Sequence, residues 1–254
     1  MAIIRESNVT YSKWPEFRQA INQLVKNGTY KNLVDIHANM SMFPDGLRHG
    51  VHRMHGNMAG IVGYRRFLPW HRAYLIAFER ELRNIDNTLS IPYWDWDADG
   101  GRLIGISGVL GLSSQRDIGL LAGQPVTVPN QRPWFSNPAT VQMMERYTGD
   151  YYPWSRELEG PLHGGGHNWV GGDMANPMIS PNDPIFWCHH AQIDRIWSVW
   201  QNNNPNEKAY LTGAEALLDP WDTEYNNDNI QDISALGQDS YSYGPTQPVF
   251  NPTP

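Results

Sequence analysis

The stretch RFLPWHRAYLIAFERELR, residues 66–83, spaces its apolar side chains at a helical period. His71, Leu75, Phe78 and Leu82 follow in steps of four, three and four, which puts them on one face of an α-helix. Pro69 suits a first helical turn, so the helix is expected to follow it. Glu79, Arg80, Glu81 and Arg83 fall on other faces. The inward face thus carries a histidine, and a buried imidazole without a partner is costly.

The same period recurs on both sides of this segment. Phe17, Ile21, Leu24 and Val25 mark a helix that Asn27-Gly28 ends, and residues 30–42 read as a second, carrying Leu33, Val34 and His37. Residues 43–66 hold Pro44-Asp45-Gly46 and several glycines and read mostly as loop. After IPYWDWDADGG (91–101), residues 100–138 are rich in Gly, Pro, Ser and Asn and read as a long surface excursion. Helix returns over 138–147, weakly over 155–169, and strongly over 184–202, where His190, Ile193, Trp197 and Trp200 share the inner face. The tail after 203 is polar and turn-rich, and the last dozen residues are expected to fray. Convincing alternation at period two is scarce. The fold class expected is mainly α: one domain over 1–254, a small helix-bundle core and long loops, with sites built from inward side chains on facing helices.

Composition narrows the function. The 254 residues carry a formal charge of -7, with no basic footprint for nucleic acid. No apolar run reaches the roughly 18 residues of a membrane span, and the N-terminus lacks the apolar centre of a secretory signal. Neither a nucleic-acid nor a membrane partner is expected, and the expected location is cytoplasmic. The single cysteine, Cys188, excludes an intrachain disulfide and a thiolate metal cage, so any metal must be held by imidazole or carboxylate.

The nine histidines are segregated. His37, His49, His52, His55 and His71 lie in one block; His163, His167, His189 and His190 lie in another. His163 and His167 are one helical turn apart, where one ion can bridge them, although the intervening Gly164-Gly165-Gly166 costs a helix about 1 kcal/mol per residue. Singly, His37 would be an ordinary hydrogen-bonded histidine, His49 and His52 solvated loop residues, and His189-His190 one ligand beside one packing residue. Together they point to a metal site. All-nitrogen donors suit copper, zinc, iron or nickel. Two-metal hydrolases usually add bridging carboxylates, and the nearby Asp183 and Asp194 serve equally well to orient rings, which tilts the choice towards a redox pair.

Residues 66–83 with IPYWDWD (91–97) resemble the first copper region of tyrosinases; WVGGDM (169–174) with SPNDPIFWCHHAQIDRIWSVWQ (180–201) resembles the second, in the family's order. The resemblance covers about half the chain. It implies a four-helix-bundle core holding a dinuclear, type 3 copper site, two copper ions with three histidines each, O2 as co-substrate, and a phenolic or catecholic substrate. It assigns His37 and His71 to the first copper and His163, His167 and His190 to the second. It makes His189 a non-ligand, Asp183 the acid that orients a ligand ring, Phe186 an aromatic near the coppers and, with Met174, part of the substrate pocket. Glu159 is the acid that holds a water near the second copper, and Asn168 is a further polar candidate beside His167.

Two departures from the family pattern matter. Many tyrosinases have a histidine nine residues before the one in LPWHR, where this chain has Val62, so the middle first-copper ligand must come from further upstream: His55, with His52 as rival. Many enzymes strong on monophenols have asparagine directly after the first ligand of the second copper, where this chain has Gly164, so oxidation of o-diphenols to o-quinones is the firmer expectation and ortho-hydroxylation of monophenols the weaker. The 64 residues after the last ligand (191–254) are too few for a site-blocking domain, from which an open site or a copper-loading helper protein is expected. The competing readings are a catechol oxidase only, an o-aminophenol oxidase, a haemocyanin-like O2 carrier and a non-copper zinc protein. Cys188 is expected to be a small buried residue beside the site.

Overall fold

The computed structural model describes residues 3–42, 54–109, 111, 116, 134–221 and 223–249. The first helix, α1 (Trp14–Lys26), has Pro15 and Glu16 in its first turn and Lys26 in its last, and buries Trp14, Phe17, Ala20, Ile21 and Leu24. Gly28, at φ 83°, makes the turn into α2 (Thr29–Met42), which carries His37 inward.

The central helix, α3 (Gly56–Ile85), starts well before Pro69. Its first turn ends at Gly60, whose φ of 59° and ψ of -138° bend the chain before the main helix begins. The expectation of loop up to residue 66 is therefore corrected for 56–66, and 43–53 lie outside the described residues. Pro69 sits inside the helix because the bond it cannot make is replaced: the Tyr151 hydroxyl donates to the Arg65 carbonyl at 3.1 Å, one turn back from the proline. His71, Leu75, Phe78 and Leu82 are all buried, as their spacing requires. Glu79, expected on an outer face, is buried too, with its carboxylate on Arg5 at 3.1 Å.

After a short turn of helix, α4 (Trp96–Asp99), the described part of 100–138 does not run over the surface: Leu103, Ile106 and Val109 are buried, and the Arg116 side chain is inside. Helices α5 (Pro138–Arg146) and α6 (Tyr151–Glu157) follow, then a π-helical segment, Leu158–Gly164, and α7 (Gly165–Val170). Pro161, which has no N–H to close an ordinary turn, lies in the widened part. The last long helix, α8 (Ile185–Asn203), buries nearly every residue of its first three turns.

Strands β1 (Ile3–Arg5) and β2 (Tyr241–Tyr243) pair in parallel, Ile3 opposite Tyr241 and Arg5 opposite Tyr243. They tie the tail to the helices. Asp194 on α8 accepts from Arg72 at 2.6 Å, Arg5 at 3.3 Å, Tyr241 at 2.5 Å and Tyr243 at 2.6 Å. Asp194 therefore joins the two ends of the chain and does not orient an imidazole. Burial alone would raise its carboxyl pKa, but Arg72 and then Arg5 outweigh that and hold it below the usual value. Of the last dozen residues, 243–249 are described, and Gln247 N–H there still reaches Asp95 at 3.0 Å, whereas 250–254 lie outside the described residues.

Candidate metal centre

Four helical segments bring six histidines together. α2 supplies His37, the residue just before α3 and the middle of α3 supply His55 and His71, the π-segment and α7 supply His163 and His167, and α8 supplies His190. The donor atoms form two triads, His37–His55–His71 and His163–His167–His190, each within 4.8 Å. The triads face each other: the His71 and His190 rings stack at 4.3 Å, and those of His55 and His163 at 5.7 Å.

One nitrogen of most of these rings is already committed. Nδ1 of His71 meets the Phe67 carbonyl at 2.7 Å, that of His163 the Glu159 carbonyl at 3.0 Å, and that of His167 the Met174 carbonyl at 2.7 Å. The His37 ring bonds the Pro177 carbonyl. Each contact fixes a tautomer with the proton on the outer nitrogen and a bare Nε2 facing inward. The Nε2 atoms of His37, His55, His71 and His163 are buried with no hydrogen-bond partner, a costly state unless an ion takes them. His167 and His190 place their Nε2 atoms 3.2 Å apart, close to the separation of two donors on one ion about 2.0 Å from each at a near-tetrahedral angle. Burial, then mutual repulsion among the rings, pushes the pKa values of His37, His71, His163 and His190 well below normal, and burial takes His167 down to about 4. Neutral imidazoles are the ligating form, so the donor set fits two metal ions without added carboxylates.

The remaining residues of the site fall into place around this pair. His189 is turned away: its Nε2 donates to the His163 carbonyl at 3.0 Å. That explains one glycine of the run, Gly166. A Cβ on Gly166 would lie 2.2 Å from the His189 ring and one on Gly165 3.0 Å from Phe135, whereas one on Gly164 would meet only the Glu159 carbonyl at 3.8 Å. Asp183 does not touch a ligand ring. Its carboxylate takes the Arg116 guanidinium in a buried ion pair and the Ile185 N–H at 3.0 Å, so it anchors the start of α8 instead. Phe186 does not line the pocket; fully buried one turn before His190, it packs its ring 4.1 Å from His190 and 5.1 Å from His37 and braces both triads from behind. Cys188 is buried, and burial raises its thiol pKa far above normal, which keeps it unreactive.

A cavity of about 280 Å³ opens onto the histidines, lined also by Met174, Ala175, Pro177, Tyr64, Glu159 and Gly164 and by the exposed Asn168. The Glu159 carboxylate is held by Gly56 N–H at 3.0 Å and His55 Nδ1 at 3.1 Å. His52 lies outside the described residues. Sequence reasoning missed Tyr64, Pro177 and Phe67; Phe67 packs 4.6–5.6 Å from His163, His71 and His55. Its position one helical turn before His71 is the only signal that could have found it.

Two facing triads of neutral histidines, all but the half-buried His167 fully inside, define a protein with a dinuclear metal centre. The model of the common central domain of tyrosinase matches residues 27–132 and 120–203. A tyrosinase of Streptomyces glaucescens is 31% identical over 249 residues, covering 82% of this chain and 85% of that one. Among solved structures, the polyphenol oxidase of Grenache (Vitis vinifera) superposes with a TM-score of 0.67 at 21% identity, over 96% of this chain and 85% of that one. A functional unit of octopus hemocyanin reaches 0.68 at 22% identity, over 96% and 69%; both share the fold. The chain belongs to the tyrosinase family and is a copper-dependent oxidase that holds two copper ions. Among the described residues no helix is long and apolar enough to cross a membrane.

Proposed function

We propose that this enzyme uses dioxygen to oxidise o-diphenols to o-quinones, with ortho-hydroxylation of monophenols as a slower second activity. The observation that carries the reading is the cavity of about 280 Å³ reaching both histidine triads from solvent. It lies at the small end of ligand sites, which run from about 300 Å³ upwards, and so suits a single aromatic ring. Bound copper supplies the electron transfer from substrate to dioxygen. The chain's own residues do the rest. Met174, Ala175 and Pro177 give the ring an apolar wall, Phe186 and Phe67 lock the imidazoles in place, and the inward-facing Nε2 atoms keep the metal at the cavity floor.

Gly164 supports the ranking of the two activities. It lines the cavity beside His163 and presents no group that could hold a water to take a phenol proton. The test is to load the protein with copper and compare a monophenol such as tyramine with the matching catechol and with o-aminophenol. Quinone formation from the catechol, with the monophenol at least tenfold slower, is expected. Faster turnover of o-aminophenol, or reversible oxygen binding without turnover, would replace this reading by the aminophenol oxidase or the oxygen carrier.

A further inference from the structure

The middle ligand of the first triad raises a geometric problem. His55 precedes α3 and is sixteen residues from His71, four turns away along a continuous helix, yet their rings lie 5.1 Å apart. The chain must fold back. Gly60 makes the bend with its positive φ, and Gly63 lets the main helix press against the His55 carbonyl, where a Cβ would lie only 2.2 Å away. Gly56 faces the Tyr64 ring, where a Cβ would also come within 2.2 Å. The fold-back sets the His55 backbone, but the ring could still turn about its side-chain bonds.

Glu159 holds it. Its Oε1 accepts from both Gly56 N–H, at 3.0 Å, and His55 Nδ1, at 3.1 Å, and its Oε2 reaches the same N–H at 3.2 Å. The pair is buried, with side-chain exposures of 8% for His55 and 7% for Glu159. The carbonyl of the same residue holds His163 Nδ1. We infer that Glu159 is the positioning residue of the first copper site: its side chain fixes His55 while its backbone fixes His163, so one residue of the π-segment sets the spacing between the two triads. This gives the carboxylate a task other than holding a water. The inference rests on the two-copper centre and is independent of which phenol is oxidised.

The mechanism predicts which ion is lost. Replacing the side chain frees His55 but leaves the carbonyl that holds His163, so the first triad should fail and the second survive. Outer partners of this kind typically contribute 10–100-fold to metal affinity. The experiment is titration of copper(II) into the metal-free protein, reading ions per chain and the electron paramagnetic resonance spectrum, since a lone copper(II) carries an unpaired spin. Wild type should bind two. Glu159→Ala should bind one tightly and the other 10–100-fold more weakly, with a mononuclear signal. Glu159→Gln keeps Oε1 and should retain two ions. Glu159→Asp keeps the charge but falls short in reach, and should behave like alanine. Its native acidic character also serves if the alanine variant does not fold. The double variant with His55→Ala should bind no less than His55→Ala alone, because Glu159 acts only through that ring. Two ions at wild-type affinity in the Ala and Asp variants would overturn the proposal. Retention in Asp with loss in Gln would overturn it in favour of charge, and retention of both ions with loss of monophenol hydroxylation alone would make Glu159 a water-holding group. Because metal is counted without substrate, the outcomes that turn on the ion count cannot be confused with a wrong substrate assignment.

Discussion

Gly63→Ala tests whether the fold-back before α3 builds the first copper site. The added Cβ would stand 2.2 Å from the His55 carbonyl oxygen and 2.5 Å from its carbon, against an ordinary contact of 3.4 Å or more. The obstacle is backbone, so no rotamer relieves it, and the His55 segment must retreat by about 1.2 Å. Copper–nitrogen bonds near 2.0 Å tolerate displacements of about 0.2 Å, so the shift is several times what a ligand can absorb. Two effects oppose each other in stability. Alanine favours helix over glycine by about 1 kcal/mol, and overpacking costs about 1–3 kcal/mol. A net loss of about 1 kcal/mol lowers the melting temperature of the metal-free protein by roughly 2–4 °C. Copper content should fall from two ions to about one, and catechol oxidation should be lost. Gly160→Ala is the control: it has nothing within 4 Å of its Cβ and should leave the metal count unchanged. A Gly63→Ala protein with two tightly bound coppers and wild-type turnover would refute the reasoning.

Further outcomes follow from the same geometry. His55→Ala should lose about one copper per chain and all activity, whereas His52→Ala should keep both; metal analysis of the two variants decides between them. Gly164→Asn should be accommodated, since only the Glu159 carbonyl lies near, at 3.8 Å. By supplying a polar group beside His163 it should raise the monophenol-to-diphenol rate ratio roughly tenfold, about 1.4 kcal/mol in barrier; an unchanged ratio in steady-state assays would remove the water-holding explanation for Gly164. Asp194 has a pKa depressed below 3.8 in the folded state, so the unfolded chain binds the extra proton. Its contribution is present in full above that value and is lost as pH falls below it. Thermal melts from pH 6 to pH 3 should show this loss, and Asp194→Asn should lose about 3–5 kcal/mol at neutral pH by leaving Arg72 and Arg5 buried without their partner.

While His37 and His55 rested on the resemblance to tyrosinases, the sequence by itself determined the mainly α class, the inward faces of α1, α3 and α8, and four of the triad histidines, His71, His163, His167 and His190. These are legible because helical periodicity is local: His71 and His190 lie on apolar stripes that must face a core, and His163 and His167 are one turn apart whatever surrounds them. What it could not determine depends on groups distant along the chain. Pro69 looked like a helix start because the hydroxyl that repairs its missing bond comes from Tyr151, over eighty residues away. Asp183 and Asp194 looked alike as acids near ligands, but their partners, Arg116 for one and Arg72 and Arg5 for the other, are set by tertiary packing. The Gly164-Gly165-Gly166 run looked unfavourable for a helix because the ring that requires Gly166 belongs to α8. Glu159 is the clearest case. Its distance along the chain from His163 gave no hint that its carboxylate would reach across to His55, because hydrogen bonds are chosen by proximity in space, and only the folded chain brings the π-segment against the start of α3.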